Sequence, residues 1–355
     1  MVNIGLIGCG YWGPNLLRNF SSHPQAAIKM VAELDQSRLD YIYDKYPGIT
    51  ATKDYYDLLN APIDAIVIAT DPQSHFVLAR EALKRGKHVL IEKPMAMNAE
   101  EARVLIHLAQ EMDSKLMVGH TFEFNPAVVE LKRQIDAGTI GTPYYFTTQR
   151  LNFGIVRKDV NALWSLAPHD ISILIYLLGQ MPLSVSARGF DFIQPGIEDI
   201  VFLLLDFPGG VAAHVHVSWL DPSKMRRMSV VGSERMIIYD DMADNKIQIF
   251  DKGIRKQNIN ASLGRFDDFS SYQLIKTAGD VTCPKIDPVE PLKLECDHFV
   301  EAILKDKPIL TDGFNGLRVV SVLEAAQRSL KSKGHKVEIG KEIHITEDNY
   351  RKVPA

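Results

Sequence analysis

Cysteine is scarce: Cys9, Cys283 and Cys296 are the only ones in 355 residues. Their odd number and wide spacing fit neither a disulfide framework nor a zinc knuckle, so free thiols and no metal site are expected. Long apolar runs are missing too. The longest, at 171–178 and 200–205, fall far short of the roughly 18 residues a membrane span needs, so no membrane crossing is expected. Basic excess is absent, with 40 Lys and Arg against 44 Asp and Glu and a net charge of −4. A nucleic-acid partner is not expected. Met1 runs directly into Val2-Asn3-Ile4-Gly5-Leu6-Ile7 without a charged leader or small-residue cleavage site, and a cytoplasmic location is expected. There is no internal repeat and no low-complexity segment. What remains is ordinary globular composition, 46% hydrophobic and 24% charged, in a chain long enough for two packed cores.

The first 120 residues or so alternate β-rich runs, at 2–7, 27–33, 64–69, 88–91 and 115–119, with helix-period faces such as Leu39, Ile42, Tyr43 and Tyr46. That alternation predicts a parallel sheet covered by helices. After Gly119 the rhythm changes to helical patterns near 126–137 and 168–178, followed by alternating strands. In the clearest of these, Val211, Ala213, Val215, Val217 and Trp219 face one way and His214, His216 and Ser218 the other. Phe207-Pro208-Gly209-Gly210 reads as the hairpin turn before it, and helical patterns at 291–305 and 313–333 close the chain.

Gly8-Cys9-Gly10-Tyr11-Trp12-Gly13 has the G-x-G-x-x-G spacing, placed after a predicted strand and opening a predicted helix. The first glycine permits the tight turn, the second lets backbone approach a pyrophosphate, the third allows close helix packing, and the helix N-terminus donates N–H groups to phosphate. Gly8, Gly10, Tyr11, Trp12 and Gly13 are therefore candidate cofactor contacts. The expected fold class is α/β, an N-terminal Rossmann dinucleotide-binding domain at 1–121 followed by an α+β domain at 122–355 with a mostly antiparallel open sheet. A carboxylate at the end of the second strand is needed for the adenosine ribose, and Glu33 and Asp35 both lie there. Asp35 is the preferred candidate. Such a carboxylate repels a 2′-phosphate and favours NAD, while the nearby Arg38 leaves NADP possible.

Beyond this loop, Ala69-Thr70-Asp71-Pro72 with His75, and Gly86-Lys87-His88-Val89-Leu90-Ile91-Glu92-Lys93-Pro94, resemble the glucose-fructose oxidoreductase, inositol dehydrogenase and MocA family over nearly the whole chain. The resemblance implies that Thr70, Pro72, His75, Glu92, Lys93 and Pro94 border the cofactor. It also implies that Lys93 contacts the reacting sugar hydroxyl and that Pro94 follows a cis bond. Independently, a lysine at the carboxyl end of a sheet strand sits where open α/β sheets bind ligands, and its charge would stabilise a forming alkoxide.

A second signature, Leu166-Ala167-Pro168-His169-Asp170-Ile171-Ser172, is similar to the family's catalytic histidine segment and makes His169 the candidate base. Pro168 suits a first helical turn, so His169 is expected near the positive helix end. The chain departs from the family at Ser165, where an aspartate is usual; a hydroxyl can hold a hydrogen bond but brings no charge. His120 and Asn125, after the fifth strand, are candidate substrate contacts. Arg150 and Arg157 are candidates for an anionic substrate, with a solvated surface the plainer reading for each. His214 and His216 are expected on an outer sheet face rather than on a metal. The resemblance implies an oxidoreductase passing hydride between NAD and a secondary hydroxyl of a sugar, with C3 of a nucleotide sugar such as a UDP-N-acetylhexosamine the specific expectation. It also implies a homodimer or homotetramer. A free-sugar or cyclitol dehydrogenase, a redox-assisted glycosidase and a non-catalytic NAD sensor are the alternatives.

Overall fold

A computed structural model describes residues 1–253 and 279–340. These divide into two units. The first comprises 1–125 and 289–324; the second holds 126–253, 279–288 and 325–340.

The first unit is a six-stranded parallel sheet in the order β3-β2-β1-β4-β5-β6, built from β1 Val2–Ile7, β2 Ala26–Ala32, β3 Thr50–Thr52, β4 Ala65–Ile68, β5 His88–Glu92 and β6 Leu116–Gly119. This is the doubly wound order with its reversal beside β1. β3, only three residues long, escaped the sequence reading because so short a run carries no periodicity. Between the strands run α1 Gly13–Ser21, α2 Gln36–Lys45, α3 Tyr55–Asn60, α4 Pro72–Leu83 and α5 Ala99–Glu111. Ile4, Leu6, Val67 and Leu90 are essentially excluded from solvent, as the near-continuous apolar character of two-sided parallel strands requires.

The expected boundary after residue 121 needs a correction, because the chain returns to the first unit. α8, Pro291–Lys305, carries buried Leu292, Cys296, Phe299 and Val300 along one stripe. That stripe packs against α1 in the same core, with the Phe299 and Phe20 rings edge-on at 6.4 Å between centroids. Its entry is fastened by Arg18 to Glu290 at 2.6 Å. A contiguous split could not place α8 because the partner of its stripe lies nearly three hundred residues earlier. The following helix, α9 Gly313–Lys331, contributes residues to both units.

The second unit is, among the described residues, a nine-stranded sheet in the order β14-β13-β12-β11-β7-β10-β9-β8-β15. Its strands are β7 Pro143–Phe153, β8 Ser184–Phe190, β9 Ile200–Asp206, β10 Ala212–Ser218, β11 Leu220–Gly232, β12 Met236–Asp240, β13 Ile247–Phe250, β14 Val281–Thr282 and β15 Val337–Glu338. Only β7 and β10 pair in parallel; every other ladder is antiparallel. α7, Ala162–Leu178, lies on one face against β7, β9 and β10, and α6, Pro126–Asp136, packs beside it. No described helix is long and apolar enough to cross a membrane.

Candidate active-site residues

The glycine-rich loop is built as its spacing demands. Gly8 has φ +88°, a region that side chains avoid, and a Cβ there would lie 2.7 Å from the Ala69 carbonyl oxygen. A Cβ on Gly13 would lie 2.5 Å from the Gly8 carbonyl oxygen. Any larger residue at either position would push the loop off the sheet. α1 opens at Gly13 without a side-chain cap; Pro14 has no N–H and the Asn15 N–H donates to the Trp12 carbonyl at 2.9 Å, so an anion would be met at Gly13 and the loop before it. Tyr11 stands out in solvent, whereas Trp12 packs inward toward Glu92. A pyrophosphate fits such a cradle.

The carboxylate that meets this loop is Glu33, not Asp35. Glu33 Oε2 accepts the Cys9 N–H at 2.7 Å, and its Oε1 accepts the N–H groups of Leu34 and Asp35 at 2.8 and 3.0 Å. Burial pushes the Glu33 carboxyl up, but those three N–H groups and Arg38 outweigh it and hold it below the usual range. Asp35 is instead the N-cap of α2, accepting from the Ser37 N–H and hydroxyl at 2.8 and 2.6 Å. An Asp followed two residues later by Ser is a cap signal. The Arg38 guanidinium lies 3.5 Å from Glu33, and a Cβ on Gly10 would come within 3.3 Å of it.

At the carboxyl ends of β4 and β5, His75 joins two backbone segments. It is buried, with Nδ1 at 2.8 Å from the Pro94 carbonyl and Nε2 at 3.3 Å from that of Thr70. It thereby ties the segment carrying Thr70 to the one carrying Lys93. Pro72 starts α4, the Thr70 hydroxyl meets that of Ser74 at 2.7 Å, and the Lys93-Pro94 peptide is cis.

Lys93 is partly exposed. Behind it, burial pushes the Glu92 carboxyl up to about 7, against the opposing pull of Lys93. Gly119 makes room for that carboxyl, since a Cβ there would stand 3.0 Å from Glu92 Oε1. His120 is 1% exposed, neither ring nitrogen has a hydrogen-bond partner, and burial with the Lys93 charge pushes the imidazole down to about 3. A neutral His120 beside Lys93 leaves the lysine as the local positive charge. Asn125 is likewise buried, ending the short 3-10 turn that follows β6. Glu295 of α8, fully buried and with its carboxyl raised by burial and then by Glu92, is a feature no local sequence pattern announces.

In the second unit, His169 is half-buried on α7, and Ser165 lies four residues before it on the same face. Its expected place in the first turn needs correction. α7 starts at Ala162, capped by Asn161 accepting the Trp164 N–H at 3.2 Å, so Pro168 is inside the helix. The helix-end field, which fades within one turn, therefore does not act on His169. Arg150 also departs from expectation: it is buried and bonded to Asp170 through Nε at 2.6 Å and Nη2 at 3.4 Å. A solvent-borne anion does not meet it. Arg157 pairs with Asp159 at 2.5 Å. His214 and His216 stand on the sheet face away from α7, stacked on Phe202 with centroids 6.2 and 4.3 Å apart. Among the described residues no cluster of three metal-ligating side chains forms.

A parallel sheet of this order, with a glycine cradle at its switch point and a carboxylate two residues before the α2 cap, defines a dinucleotide-dependent oxidoreductase. Residues 2–120 match the model of the GFO/IDH/MocA oxidoreductase family, NAD-binding Rossmann fold, and residues 128–238 match a C-terminal domain model of the same family. The chain belongs to this family and binds NAD. It is 27% identical to UDP-N-acetylglucosamine 3-dehydrogenase of Acidithiobacillus ferrooxidans, across 89% of this chain and 93% of that one. It is 26% identical to the NAD-dependent scyllo-inositol 2-dehydrogenase of Bacillus subtilis, across 88% and 89%. The solved structure of the Acidithiobacillus enzyme shares the fold with a TM-score of 0.78 at 23% identity, covering 94% of this chain and 98% of that one.

Proposed function

We propose that this chain oxidises a secondary hydroxyl of a sugar, C3 of a nucleotide sugar such as a UDP-N-acetylhexosamine, or reduces the corresponding ketone. NAD, held by the Gly8 to Gly13 loop and Glu33, would supply the hydride acceptor. In the direction of oxidation the hydroxyl proton must leave as hydride departs, and His169 is the acceptor assigned here. Lys93, the local positive charge at the end of β5, would stabilise the alkoxide. The observation that carries this reading is Lys93 itself, partly exposed at the sheet's ligand-binding end beside a histidine that burial keeps neutral. The likeness to a UDP-N-acetylglucosamine 3-dehydrogenase supports the nucleotide sugar, and similar identity to an inositol dehydrogenase makes cyclitols the competing substrates.

A homodimer or homotetramer is part of the proposal, with the Phe202, His214 and His216 face as the contact. Leu204, 60% exposed on the same face, is an apolar group that such a contact would cover.

Thermal unfolding with NADH, NADPH, UDP-sugars, free sugars and cyclitols tests the substrate class, because a ligand of the folded state raises the midpoint. A larger rise with NADH plus one UDP-N-acetylhexosamine than with NADH alone is expected. A further rise only with inositols or free sugars would withdraw the nucleotide sugar.

A further inference from the structure

The Arg150 and Asp170 pair lies immediately beside His169 in sequence, and both side chains are almost wholly buried. Such a pair is a weak source of stability, since removing two ions from water cancels most of their attraction. Its position suggests another use. Pro168 has no N–H, so α7 lacks the hydrogen bond that would otherwise join this turn to Trp164. The next residues are fastened instead from outside the ladder: Arg150 of β7 grips Asp170 at two points, and the Ser172 hydroxyl donates to the His169 carbonyl at 3.0 Å.

Buried Tyr239 of β12 feels Arg150 and Asp170 as well as Asp241, and Asp241 is paired with Arg226 of β11 at 3.3 Å. The other elements packed on α7 offer apolar side chains: Ala127, Val128 and Leu131 of α6, Val201, Leu203 and Leu205 of β9, and Ala213, Val215 and Val217 of β10. Asp170 directly follows His169 in α7, so the pair sets a buried fixed charge next to the His169 turn.

We propose that Asp170, locked by Arg150, is a positioning residue that sets the orientation and basicity of His169, in a chain whose Ser165 brings no charge to that histidine. The proposal rests on His169 being the base. Its test is the pH profile of kcat/KM for alcohol oxidation. Asp170→Asn leaves the Arg150 cation uncompensated, which disfavours imidazolium, so the acid limb should move to lower pH. Arg150→Gln leaves the Asp170 anion and should move the limb to higher pH. Each shift should be about 0.5 to 1 pH unit. Limbs that stay in place, or move in the same direction, would overturn the proposal.

Should either single variant fail to fold, Arg150→Met with Asp170→Leu removes both charges and should fold. It is expected to keep the limb near the wild-type position and NAD affinity unchanged while kcat drops about tenfold or more. An unaltered kcat would overturn the positioning role. His169→Asn separates the two claims. If it retains the wild-type acid limb, His169 is not the base, and this inference falls with that reading; if it abolishes the limb, the Arg150 and Asp170 variants judge the pair alone.

Discussion

The glycine loop and the α7 turn each break a rule of regular structure, and they do so differently. At Gly8 the exception is paid for locally, by a residue whose φ of +88° no side chain tolerates and by an adjacent strand that leaves no room for one. At Pro168 the helix loses a hydrogen bond, and the fastening comes from Arg150, eighteen residues away on another element. Local exceptions announce themselves in sequence, whereas exceptions repaired by a distant partner do not.

The sharpest way to break the comparison is to attack each side at its chemical end. His169→Ala and Lys93→Ala should each lower kcat by about 10² to 10⁴, with NADH affinity little changed for His169→Ala. Steady-state kinetics alongside NADH titration would check this, and an unaffected turnover in His169→Ala refutes its assignment as base. Gly13→Ala acts on the loop instead. Its methyl group would overlap the Gly8 carbonyl, so NADH affinity should weaken by about tenfold or more, read by fluorescence titration.

A finer contrast lies at the ribose corner. Glu33→Gln removes the buried negative charge and should narrow the preference for NADH over NADPH several-fold, as measured by the ratio of dissociation constants. Asp35→Ala should lower the unfolding midpoint through the lost cap and leave that ratio unchanged. If the ratio responds to Asp35 and not to Glu33, the division of labour between them is wrong.

The smallest effect concerns Glu123, in the turn after β6. Burial pushes its carboxyl from 4.5 up to about 8, opposed by Asn315, whose side-chain N–H donates to it at 3.1 Å. The folded state therefore holds a proton that the unfolded chain has released, and this contribution to stability is full below pH 4.5 and lost as pH rises toward about 8. Glu123→Gln should raise the unfolding midpoint at pH 8 by more than at pH 5. An equal change at both would deny the buried proton.

The same contrast explains what could be read from sequence. The parallel sheet, the loop, Lys93 at the end of β5 and the alternating faces of β10 follow from contiguous residues. What escaped depends on residues far apart: α8 joins α1 through Phe299 and Phe20, and Arg150 meets Asp170. The capping role of Asp35 is legible too, since Ser37 follows two residues later, whereas the bond of Glu33 to the Cys9 N–H depends on a strand and a loop meeting. The His169 turn was misplaced because proline is common in first helical turns, and here Asn161 had already started the helix.

The central claim, hydride transfer between a sugar carbon and the nicotinamide, is tested most directly with UDP-N-acetylglucosamine deuterated at C3 and NAD, following deuterium by mass spectrometry of the reduced cofactor. Deuterium appearing in the cofactor together with a 3-keto sugar nucleotide is the predicted result. Reduced cofactor without deuterium, or no reduction where a cyclitol or free sugar does turn over, would contradict it.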